Sequence, residues 1–402
     1  MTADATRAVM KALTANGGQA RFVGGAVRNA LLGEPVTDVD IATPLAPDEV
    51  MQRLKAAQLG AIPTGIEHGT VTAVAMGRPY EITTLRRDVK TDGRRAVVAY
   101  TADWAADASR RDFTMNAIYA DEDGTLFDPS GGIADLNGRH VHFVGDPATR
   151  MREDYLRILR LFRFHAWYGQ GEIDTLALAA AIAEKAGLKR LSGERVQKEL
   201  LRLLEAPDPV SALHAMQTNG ILAEILPAPA NVERLDRLAG IMRANGFAQD
   251  AILSLAALSP SHDAARGLAA GLKLSNADRD RLLDATDAQI PIDASLSPEA
   301  ARRVLYRTGT RRFRDRLLLS WADARAGTTD KIWSSLLTLS RSWQKPILPV
   351  DGRDALAAGV EEGPAVGRVL AVLEEWWVEQ GFAQGRDSLL TRLKELAAEP
   401  KA

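Results

Sequence analysis

From residue 21 to about residue 145, short apolar runs alternate with turn signals. "RFVGG", "DVDIAT", "TVTAVAM", "YEITTL" and "AVVAY" are rich in Val, Ile, Thr and Tyr, the pattern of strands. "MGRP", between two of them, is a tight connection and predicts a hairpin. "AVRNALLG" and "DEVMQRLKAAQLG" read as helices, each ending on a glycine suited to the left-handed position past a helix end. "MTADATRAVMKAL" predicts a short amphipathic helix ahead of them. Around Pro147 the texture changes. Leu156, Leu159, Phe162 and Ala166, then Leu176 to Ile182, then Val196, Leu200 and Leu203 recur at helical spacing. From there to the last residue the chain is rich in Ala, Leu and Arg, broken at "EAPDP", "ILPAPA" and "SLSPEA". The pattern predicts a mixed α/β region with a small sheet, followed by an all-helical region without a fixed-period repeat.

At 402 residues the chain exceeds one ordinary domain. Apolar residues at 46% and charged residues at 25% are those of a globular protein with a real core. The absence of cysteine excludes disulfides, thiol nucleophiles and cysteine zinc sites, and fits a reducing compartment. No His-x-x-x-His spacing occurs, which disfavours a histidine metal site. No apolar run approaches a membrane span and residues 1–20 lack a signal-peptide core, so the expected location is cytoplasmic. A net charge of −2 argues against non-specific coating of nucleic acid, without excluding a local basic surface.

Asp38 and Asp40 change the picture. On a strand, residues two apart share a face, and two carboxylates so placed repel unless a cation sits between them. Magnesium, a hard cation that keeps room for water and phosphate oxygens, answers that need. Fourteen residues upstream of Asp38, Gly24 and Gly25 end a strand and open a helix. Free N–H groups at such a terminus bind phosphate, and Arg28 on the first turn can reach the same anion. In "RRDFTMNA", Arg110 and Arg111 offer forked donors for triphosphate oxygens, and Asp112 and Asn116 can bond a ribose hydroxyl. A plain Arg-Arg-Asp salt-bridge cluster is the alternative. Asp154 and Arg157 stand three apart on an expected helix and so share a face.

"GGAVRNALLG…DVDIAT", "GIEHGTVT", "YEITTLR", "SRRDFTMNAIYAD", "DPSGGIADL" and "REDYLRILRLFRF" follow in an order that resembles the bacterial class II tRNA nucleotidyltransferases, which include CCA-adding enzymes and poly(A) polymerases of the DNA polymerase β superfamily. The resemblance implies an α+β fold: a polymerase β-like head with a small mixed sheet (1–148), a helical neck (149–228), and a helical body and tail that bind tRNA (229–402). It implies two Mg2+ ions on Asp38 and Asp40, a ribose role for Asp112, and Glu81 as a third carboxylate. It further implies that "E-D-x-x-R" reads the incoming base, with Asp154 and Arg157 in contact and Glu153 orienting Arg157. A carboxylate accepts the exocyclic amine of cytosine or adenine and a guanidinium donates to the adjacent ring nitrogen. Guanine and uracil present the opposite pattern, so each mismatch costs about 1–3 kcal/mol by analogy with groove readout. Arg160 and Arg163 continue the basic stripe towards phosphate or RNA.

The segment 85–100, "LRRDVKTDGRRAVVAY", corresponds in the family to a flexible loop that permits the switch from C to A addition. Seven arginines fall between 302 and 316. Among them Arg302, Arg303, Arg307, Arg311 and Arg312, interleaved with Tyr306 and Phe313, are candidates for tRNA phosphates, with helix-surface pairing to acids as the alternative. Ser192 is expected to cap a helix, and Trp333, Trp376 and Trp377 to lie in the core. The implied activity is untemplated addition of C, C and A to a tRNA 3′ end from CTP and ATP, with no obligatory protein partner. A poly(A) polymerase would share every head motif, but usually carries a strongly basic C-terminal extension that "LLTRLKELAAEPKA" does not resemble. A CC-only or A-only enzyme would carry these motifs too. An inactive RNA-binding scaffold is the competing class, and the intact acid pair and template pair speak against it. Asn29 departs from the family, which usually places aspartate there.

Overall fold

The computed structural model describes residues 1–92 and 95–398, without the side chains of His68, 88–92 and 95–98. The chain forms two compact units, Met1–Pro227 and Ala228–Ala402.

In the first unit, β1 (Arg21–Val23), β2 (Asp40–Thr43), β3 (Gly60–Gly65), β4 (Thr70–Ala75), β5 (Arg78–Thr84), β8 (Tyr119–Ala120) and β9 (Leu126–Phe127) form a sheet of order β3-β4-β5-β2-β1-β8-β9. β2 and β5 run parallel and the remaining pairs antiparallel. The hairpin expected at "MGRP" is present: Ala75 faces Arg78, and Met76 (φ 50°) and Gly77 (φ 75°) make the turn. Positive φ at both turn residues matches the twist of the flanking strands. β3 was not legible, because "GAIPTG" contains a proline. It is tolerated here on the outermost strand, where the register also slips between Ile62 and Gly65.

Three helices precede or interrupt the sheet: α1 (Asp4–Thr14), α2 (Gly25–Leu32) and α3 (Pro47–Ala56). α2 stops at Gly33, in the left-handed conformation at φ 72°, as expected. α3 differs. The left-handed residue after it is Gln58 (φ 58°), while Gly60 opens β3. The segment 85–100 pairs with itself as β6 (Arg86–Asp92) and β7 (Arg95–Tyr100), with Arg86 opposite Tyr100. Gly93 lies outside the described residues.

α4 (Trp104–Ser109) and α5 (Gly132–Asn137) complete the sheet region. Then come α6 (Pro147–Glu153), α7 (Leu156–Tyr168), α8 (Thr175–Glu184), α9 (Gly193–Leu204) and α10 (Pro209–Thr218). Phe113, fully buried, joins sheet and helices, with its ring 4.7 Å from Phe143 and 4.8 Å from Phe164 of α7. Ser192 precedes α9 but its hydroxyl makes no capping hydrogen bond. The second unit is helical from Val232 to Ala398 among the described residues, with Trp333 and Trp377 buried and Trp376 packed half-exposed against the core. No helix of the described residues is long and apolar enough to cross a membrane.

Candidate active site

β2 begins at Asp40, so Asp38 lies in the coil before it, where Thr37 Oγ1 donates to its carboxylate. The two acids are therefore not successive same-face residues of one strand. Parallel pairing sets Glu81 of β5 abreast of Asp40, and antiparallel pairing sets Val23, next to the glycines, on its other side. The surrounding protein raises the pKa of Asp40 above the ordinary carboxyl value, and Glu81 and Asp38 raise it further against an opposing Arg111. Like charges gathered with so little compensation fit a hard cation. Among the described residues, no three acidic or imidazole groups converge closely enough to enclose a metal by themselves. The donor set suits magnesium, which takes one or two carboxylates and leaves water and phosphate to supply the rest.

Gly24 adopts φ 68°, ψ −128°, which a side chain would disfavour, and a Cβ there would stand 3.6 Å from Arg111 Nη1. The turn thus keeps the N-terminus of α2 open beside a guanidinium. Arg28 is buried and touches no carboxylate: it donates to Asn116 Oδ1 (2.6 Å), to Asn29 Oδ1 (2.9 Å) and to the Tyr168 hydroxyl (2.8 Å). Burial pulls its pKa down, with Tyr168 and Asp112 opposing. A buried cation held only by neutral groups is favourably completed by an anion.

Arg110 and Arg111 do not pair with Asp112. Both converge on Asp107, whose side chain is 1% exposed: Arg110 Nη2 lies at 2.7 Å, Arg111 Nη2 at 3.1 Å. The Tyr119 hydroxyl (2.7 Å) and the backbone N–H of Arg86 (3.2 Å) donate to the same carboxylate. Burial pushes Asp107 up, but Arg111, Arg110 and Tyr119 outweigh it and hold its pKa below the ordinary value. The salt-bridge alternative is thus half right, with a different acid. Sequence reasoning missed Asp107; its signal is an aspartate on α4 three and four residues before the two arginines that follow the helix end.

Asp112 accepts instead from Asn116 Nδ2 (3.0 Å), from the Phe113 N–H (2.9 Å) and from Arg160 Nε (2.8 Å). Despite burial, Arg160 and these hydrogen bonds bring its pKa down to about 2. Glu199 of α9, another residue not foreseen, pairs with Arg163 at 2.7 Å and Arg160 at 3.5 Å. Asp112, Arg160, Glu199 and Arg163 form one chain of alternating charge.

The expected shared helix face of Asp154 and Arg157 is not there. Asp154 (φ −155°) sits in the break between α6 and α7, its carboxylate 2.7 Å from Arg195 Nη2, while Glu153 takes both Arg157 and Arg150. Such a break frees the Asp154 backbone from helical geometry and lets an α9 arginine hold its side chain. In the second unit, Arg303 and Arg307 pair with Glu379, Arg307 also with Glu375, and Arg312 with Asp284 and Asp287; Arg302 and Arg311 are exposed. Tyr306 and Phe313 are buried, so they offer no stacking platform.

Residues 20–142 match the family described as "Poly A polymerase head domain", and residues 172–232 the one described as "Probable RNA and SrmB- binding site of polymerase A". The chain is 35% identical over 399 residues to mitochondrial CCA tRNA nucleotidyltransferase 1 of Mus musculus, across 93% of this chain and 86% of the relative. The chain belongs to the class II CCA-adding enzyme family. A second member, the CCA-adding enzyme of Levilactobacillus brevis, is 34% identical over 383 residues, covering 92% of this chain and 91% of its own. Among solved members, the Bacillus stearothermophilus CCA-adding enzyme in complex with CTP aligns with a TM-score of 0.72 and 29% identity, over 97% of this chain and 96% of that one.

Proposed function

We propose that this family member adds C, C and A to the 3′ end of tRNA from CTP and ATP without a nucleic-acid template, releasing pyrophosphate. The observation that carries the reading is the charge arrangement at the start of β2, where Asp38, Asp40 and Glu81 gather negative charge beside the glycine turn and Arg28. Asp38 and Asp40 would hold two magnesium ions, which when bound would supply a lowered pKa for the 3′-hydroxyl and charge neutralisation for the pyrophosphate. Gly24, Gly25, Arg28 and the Asp107-held Arg110 and Arg111 bind the triphosphate. Asp112, kept ionised and oriented by Arg160, takes the ribose hydroxyls together with Asn116. Asp154, held by Arg195, accepts the exocyclic amine of C or A, and Arg157, held by Glu153, donates to the neighbouring ring nitrogen. Each half of the protein template thus has its own tether.

The test gives the protein tRNAs lacking three, two or one terminal nucleotides, with labelled CTP or ATP, and sequences the products. Wild type is expected to restore CCA and stop. Long oligo(A) tails would instead favour a poly(A) polymerase, and addition of one base only a CC-only or A-only enzyme. Asp40→Ala is expected to abolish incorporation while tRNA binding persists; near-wild-type incorporation would sink the metal assignment.

A further inference from the structure

One cavity of the first unit, about 270 Å³, is not used by this reading. One wall is the segment between α2 and β2, up to Thr37, the residue before Asp38; another is the end of α7, with Trp167 and Tyr168. Arg139 and Arg202 enter from two further elements, and neither pairs with an acid among the described residues. Glu34 is the one acid in the lining, against three arginines, of which Arg163 is already held by Glu199.

The walls are fixed in place. Trp167 Nε1 donates to the Arg202 carbonyl at 2.7 Å, and the Gln170 N–H donates to the Arg139 carbonyl at 3.0 Å, which ties both arginines to the end of α7. The Tyr168 hydroxyl accepts from Arg28, so the cavity shares a wall with the phosphate-facing guanidinium. Unpaired guanidiniums call for an anion, and a tryptophan with Leu32 and Pro207 calls for a flat apolar group. A bare diphosphate would leave the aromatic wall without a partner. The incoming nucleotide has its base elsewhere: Arg157 and Trp167 are ten residues apart on α7, about 15 Å along its axis.

We propose that this cavity binds one nucleotide of the single-stranded 3′ end of the RNA substrate, its base against Trp167 and its phosphate between Arg139 and Arg202. The proposal rests on the tRNA nucleotidyltransferase reading above. Stacking supplies affinity without sequence preference, which suits an end whose last bases change during synthesis.

Trp167→Ala and the double variant Arg139→Gln/Arg202→Gln are assayed in the full chain with a tRNA and, separately, with CTP as the varied substrate. Each is expected to raise KM for tRNA about tenfold while KM for CTP stays within about twofold. Trp167→Phe is expected to restore most of the tRNA affinity, and the arginine variant to flatten the salt dependence of tRNA binding by a slope of about 0.7 for one single-strand phosphate. Unchanged KM for tRNA in both variants overturns the proposal. So does a rise confined to CTP, which would give the cavity to the nucleoside triphosphate, or a change confined to inhibition by inorganic pyrophosphate, which would give it to the leaving group. Failure of wild type to extend any tRNA in the same assay would refute the functional reading itself.

Discussion

Replacing Asp107 by asparagine removes a charge and almost no volume. The carboxylate it removes is 1% exposed and serves Arg110, Arg111, the Tyr119 hydroxyl and the Arg86 N–H, with donors at 2.7–3.2 Å. Both guanidiniums keep under a fifth of their side-chain surface in contact with water, so neither can recover its charge partner from solvent. Breaking a buried pair from one side costs about 3–5 kcal/mol, and the several hydrogen bonds share that figure rather than multiply it. The unit containing Asp107 spans Met1–Pro227, a size at which 1 kcal/mol moves Tm by about 2–4 °C. Asp107→Asn should therefore lower Tm of the full chain by about 6–20 °C. Below that transition, KM for CTP and ATP should rise together, by about tenfold, because in the proposed mechanism the loosened arginines bind phosphates that both nucleotides share. Tm is read by circular dichroism and KM from incorporation into a tRNA. A Tm drop under about 2 °C with both KM values unchanged would refute the argument.

Asp112 makes stability depend on acid. Its folded pKa, about 2, lies below its ordinary 3.8, so its stabilising contribution, about 2 kcal/mol, is complete above pH 4 and is lost as pH falls through 2. Denaturant melts of wild type and Asp112→Asn should converge below pH 2.5; a constant gap down to that pH contradicts the assignment. Arg195→Gln should release Asp154 and raise misincorporation of GTP and UTP relative to CTP and ATP about tenfold, read by competition; unaltered discrimination would mean that Arg195 does not position Asp154. Asn29→Asp puts a carboxylate beside the Arg28 guanidinium and should raise nucleotide KM about two- to fivefold with the C/A choice unchanged. A changed base choice would place Asn29 nearer the base than the phosphates.

Much of the site was legible because its parts are local. The glycine turn, Arg28 and Asp40 depend on a strand ending where a helix begins, and neighbouring residues dictate that. Less legible were the partners. Asp107 was passed over in favour of Asp112, since sequence adjacency in "RRD" suggests a cluster that the fold does not make. The apolar spacing of "REDYLRILRLF" predicts one helix through Asp154, across a break that only Arg195, 41 positions away, makes useful.

The sequence by itself determined which chemistry is present: oxygen donors with no thiols, an open glycine turn at a helix start, and a carboxylate and guanidinium that the proposed reading assigns to C and A. Local backbone rules and side-chain chemistry are enough for that. Tertiary structure alone decided which charges compensate one another. Asp40 faces Glu81 across a parallel strand pair, Asp112 meets Arg160 of α7, and in the basic run at 302–316 Arg303, Arg307 and Arg312 are matched by acids from elsewhere in the helical unit. Electrostatic pairing acts over a few ångströms of space, and residues far apart along the chain become neighbours only when it folds.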